Sequence, residues 1–506
     1  MQRKQLTLVI VSLLVVVLSV SLAYFTTQII GKGKTVDVTS ANLQIVFTDS
    51  DGALTETDIE PGWTKTKTFT IKNDTKTEYK YNIVIKDLLN TFVTNGYLQY
   101  KITSTNDGYN MTEFKDIPKS SAPKDIILAY SVVIPNGVTQ SYTIEFKYAN
   151  DESVDQSDDM GKKLSGTLFI TEGTEEPVTL LSQILKDNPT RNTRDTYNAV
   201  FTNNTTGTLF TATEKNVHNI ADTTVYYYAG NTTKNWVKFA GFYWRIIRTN
   251  ADGSIRMLYS GTSHDTTSGY INSTTYAFNS THNNPMYVGY MYGTSGSLVN
   301  NRKNTTNSTI KDKIDTWYTQ NMTSYTKYLS TTAVYCNDRT EQTPGTYTTS
   351  TSSSFYYAPY ARVYTNYAPT YDCTEASDAF SGSNTSAKLT YPIALMTVDE
   401  IMRAGGKGGT NLTSPYAWYY LNSANGSITD STWWWLLSPN FWNVSGARVF
   451  GVVGSSYSGS LNGFYVVSDA GAVRPAVSLK SCTLYSTGDG TSETPYEIVL
   501  DTDISC

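Results

Sequence analysis

An uncharged run from Gln5 to Gly31 constrains this chain more than any other feature in it. Arg3 and Lys4 precede the run and Lys32 is the next charge. Its core, Leu6 to Phe25, is mostly Leu, Val, Ile and Ser, and a helix needs about 20 apolar residues to cross a bilayer. A buried core helix would carry charged residues on one face; this run carries none. Arg3 and Lys4 favour an inside N-terminus, although Lys32 and Lys34 weaken the asymmetry. Residues 1–31 are therefore expected to be a signal or transmembrane segment, with the rest of the chain exported. Ser21-Leu22-Ala23 resembles a cleavage site, yet the core exceeds the roughly 7–15 apolar residues of a secretory signal. Removal and retention as an anchor through Leu6–Phe25 both stay open. The localisation expected is the cell surface, membrane-anchored or secreted to the extracellular matrix.

Cysteine usage agrees with export. The four cysteines form two local pairs. Cys336 and Cys373 flank a Thr/Ser/Tyr-rich stretch, and Cys482 and Cys506 bracket the end of the chain. Of the three connectivities, the sequential one is favoured, and each such bridge contributes about 3–4 kcal/mol on a loop-entropy basis. Zinc lacks its usual spacing, since no Cys-x-x-Cys or His-x-x-x-His occurs. Net charge is −5, with no basic block beyond the N-terminus, so nucleic acid is not an expected partner. The 39 tyrosines instead suit both strands and adaptable recognition surfaces.

A chain of 506 residues should hold two or more domains. Residues 35–172 read as an antiparallel β-sandwich. Leu43, Ile45 and Phe47 alternate, as do Phe69 with Ile71, Tyr79 through Ile85, and Tyr142 through Tyr148. Pro61-Gly62, Asn73-Asp74 and Asn136-Gly137 read as turns. Residues 173–196 read as a linker with a short amphipathic helix over Val178–Lys186. Residues 197–480 read as an α+β domain. Its first element is the strand run Trp236–Arg248, returned by a turn at Asn250–Gly253 into Ser254–Tyr259. Helices are expected over Ile310–Gln320 and from a capping box, Thr397-Val-Asp-Glu400, to Arg403. Residues 481–506 read as a disulfide-closed tail. Asp489 in that tail reads as a turn, with a calcium loop as the alternative, and Asp151–Asp159 reads as a solvated acidic loop, with a weak cation site as the alternative; no other cofactor is expected.

Residues 35–172 resemble the TasA/camelysin family of exported bacterial surface and biofilm-matrix proteins. The resemblance rests on Glu60-Pro-Gly-Trp63 before Thr68–Asn73, on Ser141–Phe146, and on Gln156–Lys162. It implies a jelly-roll-like sandwich and, in some relatives, self-association into fibres by donated strands. Protease activity is not carried over, because the domain contains no histidine. Residues 236–480 resemble the C-type-lectin-like fold shared by formylglycine-generating enzymes and by bacterial and phage variable receptor proteins. Trp433–Pro439, Ala447-Arg448 and Val473–Ala476 carry that resemblance, with Phe242–Arg245 and Tyr391–Met396 as further blocks. It implies a module that binds a glycan or protein ligand.

Three consecutive tryptophans, Trp433 to Trp435, cannot share one face of a strand, so one must be exposed or meet a second packed layer. The following stretch mixes aromatic and small polar residues, as binding surfaces do. Residues 443–471 contain only amino acids reachable from AAC codons by adenine mutagenesis, which is how a retroelement diversifies some variable receptors. The ligand-facing residues expected are Phe441, Trp442, Asn443, Val444, Ser445, Arg448, Phe450, Val452, Tyr457, Asn462, Phe464 and Tyr465. No catalytic or metal-binding residues are expected. The histidines, His218, His264 and His282, belong to no recognisable nucleophile motif, and His264-Asp265 is at most half a dyad. The primary expectation is a non-enzymatic surface adhesin or receptor. A structural matrix subunit is the alternative, and an enzyme acting on extracellular polymers is the least supported.

Overall fold

The computed structural model describes residues 35–40, 43–49, 54–56 and 59–500, apart from 205, 216–221, 265–268, 413–415, 421–431 and 455–457, with side chains from residue 59 onward. The expected membrane segment Leu6–Phe25, together with Tyr457, Cys506, His218 and Asp265, lies outside the described residues. Among the described residues no helix is long and apolar enough to cross a membrane. The chain is mainly β, with 37% strand and 14% helix, and divides into two compact units at Glu176/Pro177.

The first unit is built from alternation. In the strand Thr139–Tyr148 every second side chain is buried, and Tyr142, Ile144, Phe146 and Tyr148 enter the core. This strand pairs with Thr64–Asn73 on one side and Leu98–Ser104 on the other, within a six-stranded antiparallel sheet whose far edge is Thr35–Ser40. A four-stranded antiparallel sheet runs Leu54–Glu56, Leu164–Glu172, Tyr79–Asn90, Ser120–Ile134. Ile83, Ile85 and Leu168 from this sheet share one core with Phe69, Ile71 and Ile144 of the other. The expected turns at Gly62 and Gly137 hold positive φ, and the Gly137 N–H bonds to the Asn73 carbonyl. Within the acidic loop, burial raises the Asp159 carboxyl, but donors from Thr94, Val93 and Tyr148 outweigh it and hold the group below its usual value.

The second unit centres on a ten-stranded mixed sheet. Phe242–Thr249 pairs with Ile255–Tyr259 across the turn expected at Asn250–Gly253, with Gly253 at positive φ. The run Trp236–Arg248 is not one strand. Ala240 and Gly241 both take positive φ, which folds Trp236–Phe239 back onto Phe242–Thr249 as a tight hairpin. Ile255–Tyr259 pairs onward with Pro475–Leu479, which also pairs with Ile393–Leu395.

Two segments read as linker and tail are integral to this unit. The helix Leu180–Asp187, capped by Thr179, buries Leu180 and Ile184 in the unit's core. Tyr496–Ile498 lies parallel to Trp236–Phe239, burying Tyr496 and Ile498. An apolar stripe on a short helix and alternating residues in a closing strand both need a partner layer. The helix Thr309–Asn321 buries the expected face of Ile310, Ile314, Trp317 and Tyr318, and Val398–Ala404 carries the expected capping box. Cys336 and Cys373 are bridged, with Cα atoms 5.8 Å apart. Cys482 is also disulfide-bonded, and its expected partner Cys506 lies outside the described residues.

Candidate functional site

The site begins with three tyrosines at four-residue spacing, Tyr356, Tyr360 and Tyr364. Pro359 in the first turn starts a short helix, Ala358–Tyr364, because proline lacks only an N–H that the first turn leaves unpaired anyway. Four-residue spacing puts Tyr360 and Tyr364 on one face of that helix, and Tyr356, in the strand just before it, continues their row, so the tilted rings form a ladder with centroids 4.2 Å apart at Tyr356/Tyr360 and 4.9 Å at Tyr360/Tyr364. Ala361 and Val363 face the core.

A four-stranded sheet supplies the rest, in the order Phe355–Tyr356, Trp434–Asn443, Gly446–Val452, Leu461–Asn462. Register decides which residue sees the groove. Phe355 opposes Trp442 and both are buried, whereas Tyr356 opposes Phe441 on the groove side, rings 5.7 Å apart. Asn462, Gly463 and Phe464 form the other wall, the groove encloses about 290 Å³, and none of its lining side chains is charged. Phe464 is 73% exposed and stands at the rim.

Asn440 lies at the base. Its side chain is buried, with both amide atoms closed off from solvent beside the Tyr364 phenol. Burial pushes the Tyr364 phenol up to about 12, the nearby Gly463 N–H and Asn440 amide offsetting part of the rise, so the ladder's inner ring is neutral at physiological pH. A Cβ at Gly463 would fall 1.3 Å from Asn440 Nδ2, so only glycine permits this approach.

The expected ligand-facing residues other than Tyr457 divide four ways. Phe441, Asn462 and Phe464 line the groove, though Asn462 is itself largely buried and accepts the Phe464 N–H. Asn443, Val444 and Ser445 form the turn beside it, with Val444 exposed, and Arg448 lays its guanidinium over the Phe441 ring at 5.2 Å. Tyr465 stacks on Trp433 at 3.7 Å, the second layer that the tryptophan triplet requires. Trp442, Phe450 and Val452 are corrections: all three are completely buried in the unit's core. Composition places aromatic residues in a segment but does not show how many of its faces are covered: Trp442 packs inward opposite Phe355, and Phe450 and Val452 lie in a strand stretch buried on both faces. The tyrosine ladder and Asn440 were missed, although the four-residue spacing of the tyrosines is visible in the chain.

Two other clusters are less suited to binding. Arg248 forks onto Glu214 and shares Glu400 with Arg256, while Arg362 joins Asp338 and Asp399. The space among them is about 20 Å³, enough for a water and no ligand. His282 Nδ1 lies 2.8 Å from Ser468 Oγ, a pair that sequence reading did not join, but the histidine is exposed. Among the described residues no group of three or more His, Cys, Asp or Glu side chains could hold a metal. Asp489, read as a turn or a calcium loop, spends Oδ1 on Thr491 and Thr494 hydroxyls.

No family model matches the chain, and no curated protein matches it. Among solved structures the chain is similar to AvmM, which catalyses macrocyclization in alchivemycin A biosynthesis. The identity is 11%, over 30% of this chain and 100% of that one, at a TM-score of 0.15, a likeness that carries no argument about fold or function.

Proposed function

We propose that this is an exported surface adhesin or receptor, without enzymatic activity, that binds an extracellular glycan or protein ligand through the groove between the tyrosine ladder and Phe464. The observation that carries the reading is a concave, uncharged aromatic surface with a few polar groups at its base, the usual make-up of a ligand site. Residues 1–31 export the chain and, if retained, anchor it. In this reading the first unit is a jelly-roll-like sandwich of the TasA/camelysin kind, and the second is a C-type-lectin-like head. Retroelement diversification, if it operates, acts on the turn Asn443–Ser445, Arg448, Phe464 and Tyr465, since changes at Trp442, Phe450 or Val452 would disrupt the core.

The test is binding of labelled full-length protein to intact cells and to isolated extracellular polymer, beside a Tyr356→Ala/Phe464→Ala double variant. Binding that the double variant loses at unchanged melting temperature supports the reading. Binding that survives it moves the weight to a matrix subunit. The matrix alternative draws on Thr35–Ser40, an edge strand that pairs on one side only within its sheet. Concentration-dependent assembly in sedimentation experiments would distinguish it.

A further inference from the structure

We infer that the ligand of this groove is a neutral saccharide, an inference that rests on the recognition reading above. Three observations select that chemistry. The lining side chains carry no charge, so the groove offers nothing to pair with a phosphate, sulfate or carboxylate. Both walls present aromatic surface, Tyr356 and Tyr360 on one side and Phe464 on the other, against which the C–H face of a sugar ring loses its water. The base holds polar groups, the buried Asn440 amide beside the Tyr364 phenol, rather than further apolar surface. Sugar hydroxyls can pair with such a polar floor, whereas a wholly apolar ligand would leave it without partners. The volume, about 290 Å³, suits a short saccharide at the small end of ligand sites.

An extended peptide fits less well. It would bind by adding a strand to a free sheet edge, and both edges here are taken. Leu461 N–H bonds to the Lys407 carbonyl and the Leu461 carbonyl accepts from Gly409, while the Tyr356 carbonyl accepts from Gln342 on the opposite edge. A proline-rich helix needs gaps between aromatic rings, but successive tyrosines are in direct contact. Arg448 covers the Phe441 ring without joining the lining residues.

The experiment is calorimetric titration of the full-length protein with neutral oligosaccharides of hexose and N-acetylhexosamine. Acidic oligosaccharides and proline-rich peptides run beside them. The expected result is binding of a neutral saccharide, weakened about tenfold by Tyr356→Ala and by Phe464→Ala, each a loss of one aromatic contact. Both residues are exposed, so these variants fold, and Gly463→Ala, which fills the place of the amide, should abolish binding. Neutral-saccharide binding untouched by the exposed substitutions overturns the inference. So does a peptide or acidic ligand whose binding those substitutions remove, which leaves the recognition reading standing. Absence of any groove-dependent ligand overturns both.

Discussion

At the scale of single residues, adjacent aromatic positions have opposite roles. Trp442→Ala should destabilise the second unit by about 3–5 kcal/mol, as large-to-small changes in a packed core do. Phe464→Ala should stay within about 0.5 kcal/mol because its ring stands in solvent. Chemical denaturation of the two variants checks the assignment of core and rim, and equal effects would contradict it. Glu400 is a second case. Burial opposes its charge, yet Arg256 and Arg248 outweigh burial and hold the carboxyl below its ordinary 4.5. Its contribution is thus complete above the unfolded value and is lost as pH falls through the lower folded one. Glu400→Gln should cost about 3–5 kcal/mol at neutral pH by leaving buried arginines short of a partner. The gap to the parent should close as the pH drops below 4.5 in acid titrations of stability.

At the scale of elements, the chain was legible where a local rule acts alone. Tyr142, Ile144, Phe146 and Tyr148 alternate and are buried together, and Thr397 with Glu400 caps the helix that their spacing predicts. The Ala358–Tyr364 helix was not legible, since it carries a proline and tyrosines where an apolar stripe would announce it. The groove itself draws on Tyr356, Asn440 and Phe464, which only the sheet pairing brings together. Glu400 shows the same limit, because capping accounts for its position but not for its two arginine partners. The Cys336–Cys373 bridge was read from pairing and spacing, and it closes a loop with a sequence separation of 37. Cys336→Ser/Cys373→Ser should cost about 4 kcal/mol on the loop-entropy estimate, measured as a lower denaturant midpoint, and an unchanged midpoint would show that the loop is held by its packing alone.

At the scale of the whole molecule, each unit has its own hydrophobic core, and the Cys336–Cys373 bridge lies in the second. Calorimetry should therefore resolve two transitions, and the Cys336→Ser/Cys373→Ser variant should lower only one of them. A single transition that shifts as a whole would show the units melting together. The strand Tyr496–Ile498, laid beside Trp236–Phe239, carries a further consequence. A ribosome delivers about 5–20 residues per second, so the hairpin that begins at Trp236 waits many seconds for the neighbour that completes its sheet. That edge of the sheet can close no earlier than residues 496–498 emerge. Until then Trp236–Phe239 has no neighbour on that side, and its backbone hydrogen-bonding groups wait there for a partner.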